Sequence, residues 1–253
     1  MSRLRYKYNY VLRLIERGAV ENISTDLHST SKLPLLHLAA WNGDEKLVTY
    51  LLQNGADINV NHLKKGTPLH IAVAMENLEI IKILVQFKAD IHRQLLRSPW
   101  HTPLHRSVFQ DNTKIVEYLL NNGGNVNIKL DDTTPYYCEK TLLHVAVRHS
   151  HEEMVKLLLE YNANVDVYVS GNTKHLGIAT YMGNVAIMKL LIAYGSDVNG
   201  GKGPDGDLEY PPLLAAASRK NLEVLELLLD NDMVQINRVS KTKYSALPVE
   251  KIL

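Results

Sequence analysis

Apolar residues along this chain come in pairs one helical turn apart. Leu47, Val48, Leu51 and Leu52 are followed by Ile80, Ile81, Leu84 and Val85, then by Ile115, Val116, Leu119 and Leu120. The quartet returns as Met154, Val155, Leu158 and Leu159, as Ile187, Met188, Leu191 and Ile192, and as Val224, Leu225, Leu228 and Leu229. Spacing of i, i+1, i+4, i+5 puts four side chains on one broad face of a helix of about ten residues. Each such helix needs a neighbour against which to bury that face.

A second element precedes every quartet. Thr67-Pro68-Leu69-His70-Ile71-Ala72 recurs as Thr102-Pro103-Leu104-His105-Arg106-Ser107 and as Thr141-Leu142-Leu143-His144-Val145-Ala146, with weaker copies opening at Pro34, Lys174 and Pro211. The first residues of the six copies lie 33, 35, 39, 33 and 37 positions apart. The basic period is therefore about 33, a length that marks a stack of repeated helical units. Gly55, Gly123 and Gly195 stand where a left-handed residue closes the second helix, Asn162 takes that conformation with little strain, and Lys88 is the exception. Ala56-Asp57-Ile58-Asn59, Asn125-Val126-Asn127 and Ser196-Asp197-Val198-Asn199 then begin the turn into the next unit.

On the TPLH motif, the paired leucines, the GADIN turn and their spacing in six successive copies, the sequence resembles the ankyrin-repeat family over roughly nine-tenths of its length. The resemblance implies an all-α fold, a solenoid of helix-turn-helix units with β-hairpin-like finger loops. It divides the chain into an N-terminal capping half repeat over 1–30, six repeats over 31–243 and a partial seventh or capping repeat over 244–253, all in one continuous solenoid domain. Leu14-Ile15-Glu16-Arg17-Gly18-Ala19 carries the half repeat, and Ser245-Ala246-Leu247 opens the partial one. The resemblance also gives His37, His70, His105 and His144 a structural role, bonding neighbouring backbone and joining repeats.

Composition narrows the function without naming a partner. The chain has 253 residues, 45% hydrophobic and 22% charged, which is enough to bury a sizeable core. Lys plus Arg (28) nearly balance Asp plus Glu (27), so no net field favours nucleic acid or an acidic membrane. One cysteine, Cys138, excludes an intramolecular disulfide framework and suits a reducing compartment, cytoplasm or nucleus. No stretch approaches the roughly 18 apolar residues of a membrane span.

The residues show no catalytic, cofactor or metal constellation. His149 and His151 lack a zinc-spaced partner set, His151-Glu152-Glu153 lacks the second histidine of a zinc protease helix, and Gly200-Gly201-Lys202-Gly203 is too short to cradle phosphate. The expectation is a non-enzyme without cofactor, binding another protein.

By the same resemblance, the two positions that follow the small residues of each first helix face the concave side of the solenoid, where with the long finger loops a partner protein or peptide is expected to bind. They are Trp41 and Asn42, Ala74 and Met75, Phe109 and Gln110, Arg148 and His149, Tyr181 and Met182, and Ser218 and Arg219. Trp, Phe, Tyr, Met and Arg are types enriched in interface cores. The alternative is that these large residues pack against the adjacent finger. Long fingers add Trp100, Tyr136 and Tyr137 to the candidate surface, and their charge runs from basic (Lys64, Lys65, His92, Arg93, Arg97) to acidic (Asp131, Asp132, Glu139, Asp205, Asp207, Glu209). Such a gradient orients an extended or dipolar partner protein. The expected state is a monomer with no nucleic-acid or membrane partner. Substrate recognition within a ubiquitin-ligase adaptor, or within a viral or intracellular-bacterial effector, is the alternative role.

Overall fold

The computed structural model describes residues 33–62, 65–95, 102–129, 141–167, 174–200 and 211–236. The capping half repeat, the partial seventh repeat and the finger residues Lys64, Arg97, Trp100, Asp131, Asp132, Tyr136, Tyr137, Glu139, Asp205, Asp207 and Glu209 lie outside the described residues.

Among the described residues twelve helices follow one another in pairs. They are α1 (Leu35–Asn42) and α2 (Glu45–Gln53), α3 (Pro68–Ala74) and α4 (Leu78–Gln86), α5 (Pro103–Phe109) and α6 (Thr113–Asn121). Next come α7 (Leu142–Arg148) and α8 (Glu152–Glu160), α9 (His175–Met182) and α10 (Val185–Ala193), α11 (Pro212–Arg219) and α12 (Leu222–Leu229). The only β pairing among these residues is an antiparallel bridge between His62 and Gly66, which closes one finger.

The chain forms two compact units, Met1–Ser107 with Asn121–Gly124, and Val108–Leu120 with Asn125–Leu253. In the first, α1 packs on α3 and α2 on α4. In the second, α9 packs on both α7 and α11, and α10 on both α8 and α12. First helices thus stack on first helices and second on second.

The apolar quartets are what these contacts bury. Val48, Ile80, Ile81, Leu84, Val116, Leu119, Met154, Val155, Leu158, Ile187, Met188, Leu191, Val224 and Leu228 are all at 0% exposure. Each fully buried aliphatic side chain contributes about 1.5–3 kcal/mol. The pattern weakens at the fourth member of the last two quartets, where Ile192 and Leu229 are only half-buried.

Side chains satisfy the helix ends. The carboxylate or amide oxygens of Asp44, Asn77, Asn112, Asn184 and Asn221 accept from the backbone N–H three residues on, at 2.9–3.2 Å, and cap α2, α4, α6, α10 and α12. Each of the second helices α2, α4, α6, α8 and α10 is followed by a left-handed residue: Gly55, Lys88, Gly123, Asn162 and Gly195. Lys88, which departs from the glycine pattern in sequence, does not depart in conformation, since its φ is 71°. Its N–H bonds the Val85 carbonyl as its counterparts do.

Within each unit, polar side chains join successive repeats. The Asn59 amide oxygen accepts from the Asp90 N–H (2.9 Å); Asn127 accepts from the Asn164 N–H (2.8 Å) and donates to the Asn162 carbonyl (3.1 Å); Asn199 accepts from the Gln235 N–H (2.6 Å) and donates to the Met233 carbonyl (2.7 Å). His37 donates through Nε2 to the Gly66 carbonyl at 2.7 Å. In His70, His105 and His144, Nδ1 lies 2.6–2.8 Å from the threonine hydroxyl of the same motif.

Burial pushes His37 and His175 down to about 4, against the bonds to Gly66 and Val165 that favour the charged form, and lowers His144 as well. These rings are neutral in the fold but protonate near 6.5 once unfolded. Stability is therefore complete above about pH 6.5 and is lost as pH falls toward 4. Urea unfolding at pH 5 should show about 2 kcal/mol less stability for each of His37 and His175 than at pH 7; an unchanged midpoint would contradict this. Separately, Lys88→Gly removes a left-handed Cβ and should stabilise the chain by about 0.5–1 kcal/mol, read as a rise in melting temperature.

Candidate partner-binding surface

Each first helix ends in the same way. Two small or branched residues, Ala39-Ala40, Ala72-Val73, Ser107-Val108, Ala146-Val147, Ala179-Thr180 and Ala216-Ala217, lie buried. The buried hydroxyls of Ser107 and Thr180 donate back to the carbonyls of Leu104 and Leu176. The next two residues emerge from the packing. A left-handed residue then turns the chain into the second helix: Gly43, Glu76, Asp111, Ser150, Gly183 and Lys220.

In the first unit this brings Trp41, Asn42, Ala74 and Met75 out of the core. Asn42 and Met75 are exposed, Trp41 and Ala74 half-buried. Lys65 of the closed finger holds its ammonium 4.6 Å from the centre of the Trp41 ring, so a cation covers this aromatic face. For Trp41 the contact with the adjacent finger is thus real. Arg106, a half-buried residue of α5, has its pKa lowered by burial, and the Glu76 carboxylate opposes that shift.

In the second unit the positions pair across successive first helices. Phe109 meets His149 edge to face, with ring centres 4.8 Å apart and planes at 80°. Tyr181 meets Arg219, whose guanidinium carbon lies 3.5 Å from the ring centre. In both pairs the first position of one repeat contacts the second position of the next. Arg148, His149, Ser218 and Arg219 are exposed, Gln110 is half-buried, and Tyr181 and Met182 are 59% and 49% exposed. Trp100, Tyr136 and Tyr137 lie outside the described residues.

Several supporting contacts are not specified by the motif letters. His151 occupies a second-helix cap position but makes no capping bond. Its Nδ1 instead donates to the Val108 carbonyl at 3.1 Å, with Asp111 Oδ1 at 3.6 Å. The ring centres of His149 and His151 are 5.7 Å apart, so His151 also backs the Phe109–His149 pair. Lys174, in the threonine register, is buried and reaches Asp166 at 3.6 Å and Asp197 at 4.0 Å. His175 sits two positions before the usual histidine; it stacks on His144 at 3.8 Å and donates through Nδ1 to the Val165 carbonyl at 2.6 Å. The signal available in sequence was the recurrence of a polar residue at one register, as with Asn59, Asn127 and Asn199.

Among the described residues no three His, Cys, Asp or Glu side chains form a metal-binding group. No helix among them is long and apolar enough to cross a membrane. The surface offers aromatic faces, thioethers, guanidinium groups and amides, the chemistry of recognition.

Comparison with known proteins agrees with this geometry. A family model described as ankyrin repeats (3 copies) matches residues 36–130 and 125–202. Human Rabankyrin-5 is 32% identical over 166 residues, which is 65% of this chain and 14% of that protein. An ankyrin repeat protein of fowlpox virus (strain NVSL) is 28% identical over 170 residues, 67% of this chain and 48% of its own length. The chain therefore spans only a part of each relative. The crystal structure of the ankyrin repeat domain of Bcl-3 superposes with a TM-score of 0.70 at 22% identity, covering 86% of this chain and 93% of that one, a likeness of fold.

Proposed function

This chain belongs to the ankyrin-repeat family, and from that premise we propose that it is a non-catalytic interaction module whose first-helix surface grips a partner protein. Ankyrin repeats generally mediate protein–protein interaction, and the family is generally non-enzymatic. The observation that carries the reading is the placement of Tyr181 and Met182, 59% and 49% exposed, at helix positions the core does not use. Aromatic and thioether side chains gathered on one exposed surface are the kind of patch that marks an interaction site. Phe109 and His149 extend the same chemistry along the second unit, and Trp41 and Met75 supply it in the first. A reducing compartment, cytoplasm or nucleus, suits a chain with one cysteine.

Affinity capture from a cell lysate, with bound proteins identified by mass spectrometry, tests this with three baits. These are the unaltered chain, a Phe109→Ala/Tyr181→Ala variant, and Tyr194→Ala as an exposed control on the second-helix side. A partner held by the first and third baits but lost from the second, with far-ultraviolet circular dichroism unchanged, is the expected outcome. Each anchor should contribute about 2 kcal/mol to binding. Retention of the same partners by the double variant would move the interface elsewhere.

A further inference from the structure

The Tyr181–Arg219 pair carries more information than its exposure. A guanidinium lying 3.5 Å from the ring centre is stacked on the aromatic face. Stacking engages the flat of the group and leaves its N–H donors, which lie in its plane, at the rim. Among the described residues no carboxylate pairs with Arg219, whose recorded contact is the Tyr181 ring. The ring has thus already restricted the rotamers of a long side chain, which reduces the entropy lost when the donors are engaged. A held, planar, unused fork of donors matches one ligand chemistry above others, a carboxylate taken by two parallel hydrogen bonds.

The described charges at the ends of the first helices share that sign, in contrast to the acidic letters Asp205, Asp207 and Glu209 of the preceding connection, which lie outside the described residues. The charged residues that end the first helices of the second unit, or turn out of them, are Asp111, Arg148, Arg219 and Lys220. Three of these four are cationic, and Asp111 lies 3.6 Å from the His151 ring. Glu152, at the start of α8, accepts from the Asn184 amide at 3.3 Å. Met182, next to Tyr181 in α9, offers an exposed apolar wall. We propose that Arg219, stacked on Tyr181, reads an Asp or Glu side chain in an extended acidic segment of the partner protein, with an apolar partner residue against Met182. The proposal deepens the interaction-module reading and rests on it. A nucleic-acid phosphate fits the same fork, but a chain with a net charge of +1, and with Asp111 on this surface, lacks the continuous basic stripe that phosphate backbones require.

Selection from a random displayed-peptide library on the full chain, followed by anisotropy titration of the enriched peptides, provides the test. Enriched peptides should carry an Asp or Glu beside a large apolar residue. Arg219→Gln should weaken them by about tenfold or more. Changing the peptide acid to its amide should weaken binding to the unaltered chain by a similar factor and have little further effect on the Gln variant, the signature of a direct pair. Arg219→Lys, which keeps the charge but not the fork, should fall between. Circular dichroism confirms that the variants fold. Peptides that bind Arg219→Gln as well as the unaltered chain, or that ignore the acid-to-amide change, would overturn the carboxylate reading while leaving peptide binding intact. No enriched peptide at all would overturn both. Binding of a single-stranded oligonucleotide that depends on Arg219, without acidic peptides, would assign the fork to phosphate and reject a protein ligand.

Discussion

A helix of eight or nine residues with four apolar side chains on one face has no stable existence apart from a second helix that covers it. Everything else in this chain follows from that limit. The quartets from Leu47 to Leu228 supply the energy by stacking first helices on first and second on second. Apolar contact alone tolerates sliding, because burial has no direction. The amides of Asn59, Asn127 and Asn199 remove that freedom. Each reaches backbone groups of the following turn at 2.6–3.1 Å, a distance met in only one register. The division of labour is between apolar residues that hold and polar residues that align.

That division also explains which positions of the first helices are left outside the core. The small pairs ending the first helices, such as Ala39-Ala40 and Ala216-Ala217, allow close approach of neighbours, and the chain must then turn sharply through a left-handed residue. The two positions between are fixed by rigid elements yet unused by the core. Side chains there range from half-buried, as in Trp41 and Phe109, to exposed, as in Tyr181 and Met182. In the second unit they hold Phe109 against His149 and Tyr181 against Arg219, so these side chains are already restricted by one another.

The helices, their pairing and the quartet faces were legible because each is written as periodicity, and six copies of a period leave little room for a rival fold. Conformations set by context were not. Lys88 looks like a missing glycine, yet the bond from its N–H to Val85 and the turn that follows force φ to 71°. Ile192 and Leu229 read as core letters but are half-buried, because the letter records the face and not how fully the neighbour covers it. The candidate surface was legible only as a set of registers. Which side chains pair across it depends on three-dimensional reach, so the Tyr181–Arg219 stack had no signature in sequence, and the Lys65 cover on Trp41 was open only as the general alternative of packing against a finger.

Departures from the repeat are the more instructive part. In the fifth copy the threonine, proline and histidine registers read Lys174, His175 and Gly177, which by letter is a poor match. By physics it answers the same needs. A buried ammonium joins the aspartates of two fingers, and a displaced imidazole takes a finger carbonyl while stacking on His144. His151 shows the other kind of departure. Where five second helices use Asp or Asn as a cap, it gives up a bond worth about 1 kcal/mol. Its ring is thereby free to hold the carbonyl of Val108, the residue before Phe109, and to back His149 on the opposite side of the same aromatic contact. The lost capping bond is offset by a tertiary one, so the start of this helix is tied to the preceding repeat instead of being closed on itself.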